Sequence, residues 1–349
     1  MKNFSKHIIQ KTASILEAIA KLDIISSENL TLFVCDQDDR MFGTLTDGDV
    51  RRGLLKGLDT SVAVSQFMAK DFSFVNSHGV DVFEIKKFRK KGVKLLPCLT
   101  NEGKISKVYD LVRLKSVLPL ECMIMAGGKG ERLRPLTDNT PKPMLKLADK
   151  PIIEHNIDRL IQYGIEKIYI SIKYLGEQIK DYFGDGSAKG ILIEYIEEEK
   201  FLGTGGAIRL VEKFESEHIL IMNSDLFTDV DFEDLYLNTL NADAEIGIAS
   251  IPYTVNIPYA ILEREDNRVL SFKEKPNNTH YANAGIYIIK RELIERIPSN
   301  EFYNITDLIQ NVLDQGGKVI QNPIYGYWID IGKHEDYKKA QEFVKHIKY

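Results

Sequence analysis

Cysteine is scarce: Cys35, Cys98 and Cys122 lie far apart, with no C-x-x-C pair and no histidine spaced to complete a zinc site. That excludes a disulfide framework and a structural zinc module, and three unpaired thiols fit a reducing, cytoplasmic compartment. Positive charge is not in excess either. Lys and Arg number 46 against 51 Asp and Glu, a formal net charge of −5, so no general basic field exists to hold nucleic acid or an anionic membrane. Any phosphate must be held by a local site. Long apolar runs are missing: Lys2, Lys6, Lys11 and Glu17 interrupt the N-terminal stretch, and nothing later approaches the ~18 residues of a membrane span. Proline is sparse, 11 residues against 24 glycines, while hydrophobic residues make up 44%, which excludes disordered and low-complexity classes and leaves a soluble globular protein. A chain of 349 residues has room for two or three domains, each with its own core.

Apolar residues at helical spacing (Ile8, Ile9, Ile15, Leu16, Ile19) predict a helix over 4–19, followed by strands Leu30–Cys35 and Met41–Leu45. Thr46 or Asp47 then caps a helix starting near Gly48. The pattern recurs more weakly as helix Val80–Lys91, strand Val93–Leu99, strand Lys104–Tyr109 and helix Asp110–Leu118, which reads as an internal duplication. Pro119 marks a seam, because it stops the preceding helix, and Cys122–Ala126 opens a new series with an apolar strand. Helix 151–163 ends at Gly164, strands Lys167–Ile172, Ile191–Ile196 and His218–Met222 follow, and a last helix from His334 to His346 carries a packing face. Successive βα units require a mostly parallel, twisted sheet with helices on both faces, and ligands then sit at the C-terminal ends of its strands. The expected domains are residues 1–118 and 121–349.

The densest motif follows the first strand of the second region: Met125-Ala126-Gly127-Gly128-Lys129-Gly130-Glu131-Arg132-Leu133. Three glycines in four positions let main-chain N–H groups close around a polyphosphate. The spacing is neither G-x-G-x-x-G nor the P-loop pattern, so dinucleotide and ATPase readings lose ground. Arg132 and Lys142, the latter between Pro141 and Pro143, add fixed positive charge.

Two resemblances follow from these residues. Gly43-Thr44-Leu45-Thr46-Asp47-Gly48-Asp49 and the duplication around it make residues 1–118 resemble a tandem pair of CBS modules, an α+β regulatory domain. In that family Thr46 and Asp49 would touch a bound adenine nucleotide; the second copy offers Tyr109 and Val112 instead and departs from the pattern. A helix cap plus a turn accounts for Thr46 and Asp49 equally well.

From about Glu121 onward, G-G-K-G-x-R-L-x-P-L-T followed by P-K-P-M-L resembles the sugar-1-phosphate nucleotidylyltransferases. The resemblance implies an α/β, Rossmann-like three-layer domain that joins a nucleoside triphosphate to a sugar 1-phosphate with Mg2+. It implies that Met125, Ala126, Gly127, Gly128, Gly130, Gly203 and Thr204 bind nucleotide, and that Asp225 and Asp330 hold the metal. Arg132, Lys142 and Lys275 would act on the phosphates, and Glu274, Asn283, Ala260 and Trp328 would line the sugar site. Ala260 stands where glycine is usual and narrows that site; Glu131 stands where Ser or Thr is common.

Glu198 occupies a place where members using UTP or dTTP often carry Gln, and a carboxylate there can accept from the N1–H and exocyclic amine of guanine, which favours GTP. A solvated acidic run over 197–199 is the plainer reading. A CBS pair fused to such a domain resembles the guanylyltransferases that act on glucosamine 1-phosphate in bacterial legionaminic acid synthesis. Heptose- or mannose-1-phosphate guanylyl transfer, uridylyl or thymidylyl transfer, and a catalytically silent nucleotide sensor are the alternatives. A homo-oligomer is expected.

Overall fold

The structure is a computed structural model and describes residues 4–77 and 79–346. The chain divides into two compact units, residues 1–119 together with 161–165, and residues 120–160 together with 166–349. The expected second region thus ends in three residues, 347–349, that lie outside the described part.

In the first unit, β1 (Ile8–Gln10), α1 (Ile15–Ile24), β2 (Thr31–Cys35), β3 (Met41–Thr46) and α2 (Asp47–Leu55) precede β4 (Val75–Asn76), α3 (Val82–Lys90), β5 (Leu95–Leu99) and β6 (Ile105–Asp110). Each set forms a three-stranded sheet in which the first strand runs parallel, and the third antiparallel, to the middle one. The duplication is therefore present in the pairing itself.

Two helices differ from expectation. The first starts at Ile15, not residue 4, because the Ser14 hydroxyl accepts from Glu17 N (3.2 Å) while the Glu17 carboxylate accepts from Ser14 N (2.7 Å), a capping box that fixes the start. Ile8–Gln10 instead pairs with Phe33–Cys35. The stretch after Asp110 forms turns rather than a helix. Asp110 Oδ1 accepts from Val112 N (3.1 Å) and Arg113 N (3.3 Å), which closes a turn, and Pro119 disfavours helical backbone at Leu118.

The later elements are β7 (Leu120–Met125), β8 (Lys146–Leu147), β9 (Lys150–Pro151), α4 (Ile152–Gln162), β10 (Lys167–Ile172), α5 (Glu177–Phe183), β11 (Leu192–Glu197), the short α6 (Gly203–Gly206), β12 (His218–Asn223), β13 (Leu226–Thr228) and α7 (Phe232–Asn241). Then follow β14 (Ile246–Asn256), β15 (Ile261–Glu265), β16 (Arg268–Lys273), β17 (Asn277–Lys290), α8 (Ile305–Asp314), β18 (Val319–Pro323), β19 (Trp328–Asp330) and α9 (His334–Val344).

Seven strands form one sheet in the order β11-β10-β7-β12-β17-β14-β18, all neighbours parallel except β17, which is antiparallel to β12 and β14. Consecutive residues Cys122, Met123 and Ile124 of β7 point to opposite faces and are all fully buried, so both faces are covered. On one face Met123, Tyr169, Ile221 and Ile289 pack with Leu308 and Val312 of α8.

The chain runs from β7 to β10 and β11 on one side, then crosses to β12 on the other. This opens a crevice at the C-terminal ends of β7 and β12. Beyond Ser250 and Asn283, β14 and β17 leave the sheet as a two-stranded ladder that ends in the β15–β16 hairpin. The three cysteines are buried and unpaired, and among the described residues no helix is long and apolar enough to cross a membrane.

Candidate active site

The crevice holds a cavity of about 820 Å³. Its floor is the loop that leaves β7. Ala126 N donates to Ser171 O (3.0 Å) and Ser224 N to Met125 O (3.2 Å), so the loop is tied to the ends of β10 and β12. Gly130 sits at φ +63°, and a Cβ there would lie 2.9 Å from Lys142 Cβ, so glycine is required both for the turn and for the approach of the lysine segment. The Thr137 hydroxyl donates to Gly130 O (2.9 Å) and holds the far end of the loop.

Of the residues expected to bind nucleotide or phosphate, Met125, Ala126, Gly127, Gly128, Gly130, Arg132, Lys142, Glu198, Gly203, Thr204 and Asp225 all line this one cavity. Lys142 donates to Asp225 Oδ2. The other oxygen, Asp225 Oδ1, is buried with no hydrogen-bond partner. A buried carboxylate oxygen without a donor carries an uncompensated desolvation cost of about 1–3 kcal/mol, more for a charged group, so the position calls for a further cation.

Asp330 is not in the cavity lining but stands beside Asp225: Leu226 pairs with Asp330 between β13 and β19, and Ile331 N donates to Asp225 O (3.0 Å). Partial burial first, and the Asp225 charge second, push the Asp330 carboxyl up from its ordinary value, with Lys142 and Arg132 opposing. Two hard oxygen donors that repel each other, one of them orphaned, fit a divalent cation that takes its remaining ligands from water and phosphate. Among the described residues no group of three or more His, Cys, Asp or Glu is placed to hold a metal without such help.

Glu198 is not a solvated residue of an acidic run; it is 7% exposed at the cavity wall. Its Oε1 accepts from the Ser171 hydroxyl and its Oε2 from Leu202 N (3.0 Å). A Cβ at Gly127 would come 2.6 Å from Oε1, so the glycine loop and the carboxylate fit each other. Lys173 Nζ donates to the Glu198 and Glu199 carbonyls (2.9 and 2.6 Å), which pins the backbone that carries Glu198.

The glycines of α6 answer a packing demand. A Cβ at Gly203, Gly205 or Gly206 would meet backbone atoms of Tyr303, Asn304 or Glu301 at 2.7, 2.9 and 2.6 Å. Gly205 N and Gly206 N donate to Tyr303 O, and the Thr204 hydroxyl accepts from Ile305 N (3.1 Å) at the start of α8. Thr204 therefore lines the cavity and caps a helix.

The expected sugar-side residues are not brought to the cavity: Ala260, Glu274, Lys275, Asn283 and Trp328 are absent from its lining. Ala260, Glu274 and Lys275 are exposed on the projecting arm, with Lys275 at φ +42°. Asn283 Oδ1 accepts from Gly285 N (2.9 Å), and Trp328 Nε1 donates to Ala284 O (2.8 Å), so both serve the root of the arm.

Residues that sequence reasoning passed over are Ser171, Lys173, Tyr174 and Phe201, all in the lining. Ser171 and Lys173 had a signal, since polar residues at the end of an otherwise apolar strand mark the ligand end of a parallel sheet. In the first unit, Thr46 and Asp49 form a reciprocal cap of α2: Thr46 N and Oγ1 donate to Asp49 Oδ2 (2.8 and 2.6 Å), and Asp49 N to Thr46 Oγ1 (3.3 Å). Arg52 takes the remaining Asp49 oxygen.

The chain is similar to known proteins over the same part. D-glycero-alpha-D-manno-heptose 1-phosphate guanylyltransferase of Aneurinibacillus thermoaerophilus is 32% identical over 65% of this chain and 99% of its own length. Mannose-1-phosphate guanylyltransferase of Mycobacterium tuberculosis is 34% identical over 63% of each chain, and bifunctional protein GlmU of Methanocaldococcus jannaschii 30% identical over 64% of this chain and 54% of its own. The chain thus spans only about half to two thirds of several curated relatives it matches. Among solved structures, HddC from Yersinia pseudotuberculosis complexed with GMP-PN superposes at TM-score 0.51 with 27% identity, over 64% of this chain and 99% of that one. Residues 121–347 match the Nucleotidyl transferase family, and with that share of its length the chain belongs to it.

Proposed function

We propose that this protein transfers a nucleotidyl group from a nucleoside triphosphate to a sugar 1-phosphate and releases pyrophosphate. The observation that carries the reading is Asp225: a carboxylate paired with Lys142, with its second oxygen buried and unpartnered, in a cavity floored by a glycine loop. A phosphate oxygen of the sugar 1-phosphate attacks the α-phosphorus, the bond from that phosphorus to the bridging oxygen breaks, and its electron pair leaves with pyrophosphate. Both reactants are anions, so the protein's task is to neutralise and align them. Arg132 and Lys142 meet the triphosphate, the loop N–H groups cradle it, and Lys275 holds the sugar phosphate. Asp225 and Asp330 would hold Mg2+, which when bound offsets phosphate charge.

GTP is the favoured donor, because the Glu198 carboxylate stands in the wall with its oxygens oriented by Ser171 and Leu202 N and retains acceptor capacity for the guanine edge. Relatives named for guanylyl transfer support this base, while a relative named UTP–glucose-1-phosphate uridylyltransferase shows that the family alone does not fix it. Glucosamine 1-phosphate is the favoured acceptor, in the supply of activated amino sugar for legionaminic acid. The N-terminal unit is read as a tandem CBS-type pair on the strength of its repeated strand pairing. A panel of GTP, UTP, dTTP, ATP and CTP against glucosamine, mannose, heptose and glucose 1-phosphates, scored by pyrophosphate release with Mg2+, tests the whole reading. Release with GTP and glucosamine 1-phosphate is expected. No release with any pair would make the domain a binding module.

A further inference from the structure

The cavity holds a cation that the proposed transfer leaves unused. Of the basic residues in its lining, Lys129, Arg132 and Lys142 belong to the glycine loop or the segment that follows it, whereas Lys173 comes from the end of β10. Ile172 pairs with Glu197 at the last step of the parallel β10–β11 ladder, and Glu198 N donates to Ile172 O (3.1 Å). Lys173 and Glu198 are therefore the first residues beyond two adjacent strand ends. Lys173 Nζ donates to the carbonyls of Glu198 and Glu199 (2.9 and 2.6 Å), and among the described residues no carboxylate pairs with it, whereas Lys142 is paired with Asp225. An ammonium carries three N–H donors, so one is left for a ligand.

The place of this donor fits the base end of a nucleotide. The sheet order β11-β10-β7-β12 puts the end of β11, which leads to Glu198, three strands from the end of β12, which leads to Asp225, or about 14 Å at ~4.8 Å per strand. A nucleotide laid across the strand ends with its phosphates at Arg132, Lys142 and Asp225 therefore brings its base to Lys173 and Glu198. Phe201, in the same lining and 56% exposed, rests on Phe302 with ring centroids 5.8 Å apart, which gives that end an aromatic surface.

The pairing edge of guanine presents O6 as an acceptor, then N1–H and the N2 amine as donors. We propose that Lys173 reads the base: it donates its third N–H to guanine O6, while the Glu198 carboxylate beside it accepts from N1–H and the N2 amine. This rests on the guanine role assigned to Glu198 above. The two residues divide the discrimination. Adenine offers an amine where Lys173 donates and a bare N1 where Glu198 accepts, so it is refused at both. Uracil and thymine supply a carbonyl and an N3–H for two of the three contacts, but their O2 faces the second carboxylate oxygen, acceptor against acceptor. Because the ammonium is held by the backbone that carries Glu198, donor and acceptors are fixed relative to each other before a base arrives.

The test reads nucleotide affinity by titration calorimetry of the full chain with Mg2+, so it does not depend on the acceptor sugar. The probes are GTP, UTP, inosine triphosphate, which lacks the N2 amine, and 2-aminopurine riboside triphosphate, which keeps that amine but lacks O6. Lys173→Met should raise Kd about tenfold or more for GTP and by the same factor for inosine triphosphate, the scale of one charge-assisted hydrogen bond. For the aminopurine nucleotide the change should stay under twofold, which also reports that the variant is folded. If Lys173 only braced Glu198, or met the triphosphate, the aminopurine nucleotide would weaken with the other two, and the proposal would be overturned. An unchanged Kd for GTP would overturn it as well. Native protein that bound UTP as tightly as GTP would instead remove the guanine reading of Glu198, and this inference with it.

Discussion

The two sides of the second unit are finished to different degrees. On the side expected to take nucleotide, the expected residues from Met125 to Asp225 line one cavity, and several are held by a neighbour: Gly130 by Thr137, Glu198 by Ser171 and Leu202 N, Asp225 by Lys142. On the sugar side Glu274 and Lys275 stand exposed at the end of a ladder with open edges. The nucleotide side is anchored at the ends of four strands of a sheet covered on both faces, so its geometry is set by packing. The arm is set by strand pairing alone. Under the proposed reaction, preorganisation then belongs to the triphosphate, while the acceptor sugar meets side chains on the less constrained arm.

The comparison breaks most sharply at Asp225. Asp225→Asn is expected to lower turnover roughly 100- to 1,000-fold, the scale of removing one preplaced electrostatic group from a reaction centre. Its melting temperature should change little, because the amide oxygen can still accept from Lys142 while the substitution removes a charge from a buried oxygen that has no donor. A parallel loss of turnover and melting temperature would make Asp225 a structural residue. On the other side, Lys275→Ala should act mainly on KM for the sugar phosphate, raising it about tenfold or more as a charge-assisted hydrogen bond is lost, with the KM for triphosphate kept. Equal changes in both KM values would erase the division between the two sides.

Within the nucleotide side, Glu198→Gln sharpens the question of the base. The amide can still accept at its oxygen but presents a donor at the other position, so kcat/KM for GTP should fall about tenfold while that for UTP changes less than threefold. The Ser171 and Leu202 N bonds make this a test of charge rather than of position, since an amide can retain contacts with one or both. Equal losses for the two triphosphates would remove the argument for guanine.

How much of this was readable from residues follows the same division. The glycine loop and Lys142 read as a phosphate site from local residues, and the resemblance added Glu198 and Asp225; all four follow strands, whose ends a parallel sheet gathers from distant parts of the chain. The arm was not found: the sequence reading assigned no element between Met222 and His334, and nothing local says where a strand leaves its sheet. Gly203 and Thr204 line the cavity, yet the glycines at 203, 205 and 206 serve the close approach to Glu301–Asn304, which only long-range packing reveals. In the first unit the S-x-x-E signature at Ser14 was legible and competed with the apolar spacing of Ile8 and Ile9; hydrogen bonding won, and those isoleucines became a strand. The helix expected after Asp110 failed for the complementary reason, that a turn-forming aspartate and Pro119 outweighed apolar periodicity.

The smallest expected effect separates the two units. Thr46→Ala removes the hydroxyl of the cap at α2 and should cost about 1 kcal/mol of stability, with Thr46→Ser restoring most of it. Pyrophosphate release should be unchanged, since Thr46 belongs to the first unit. The same variant decides the adenine-nucleotide reading of this unit. Thr46 N and Oγ1 already serve Asp49, and Arg52 holds the other Asp49 oxygen, so a nucleotide taking Thr46 and Asp49 as ligands must replace the cap's hydrogen bonds one for one. Titration calorimetry of the full chain with AMP and with ATP, before and after Thr46→Ala, is expected to show no heat of binding at this unit in either protein. Heat that the native chain gives and the alanine variant loses would show that the cap opens to receive a nucleotide, and that its hydrogen bonds hold the place of a ligand.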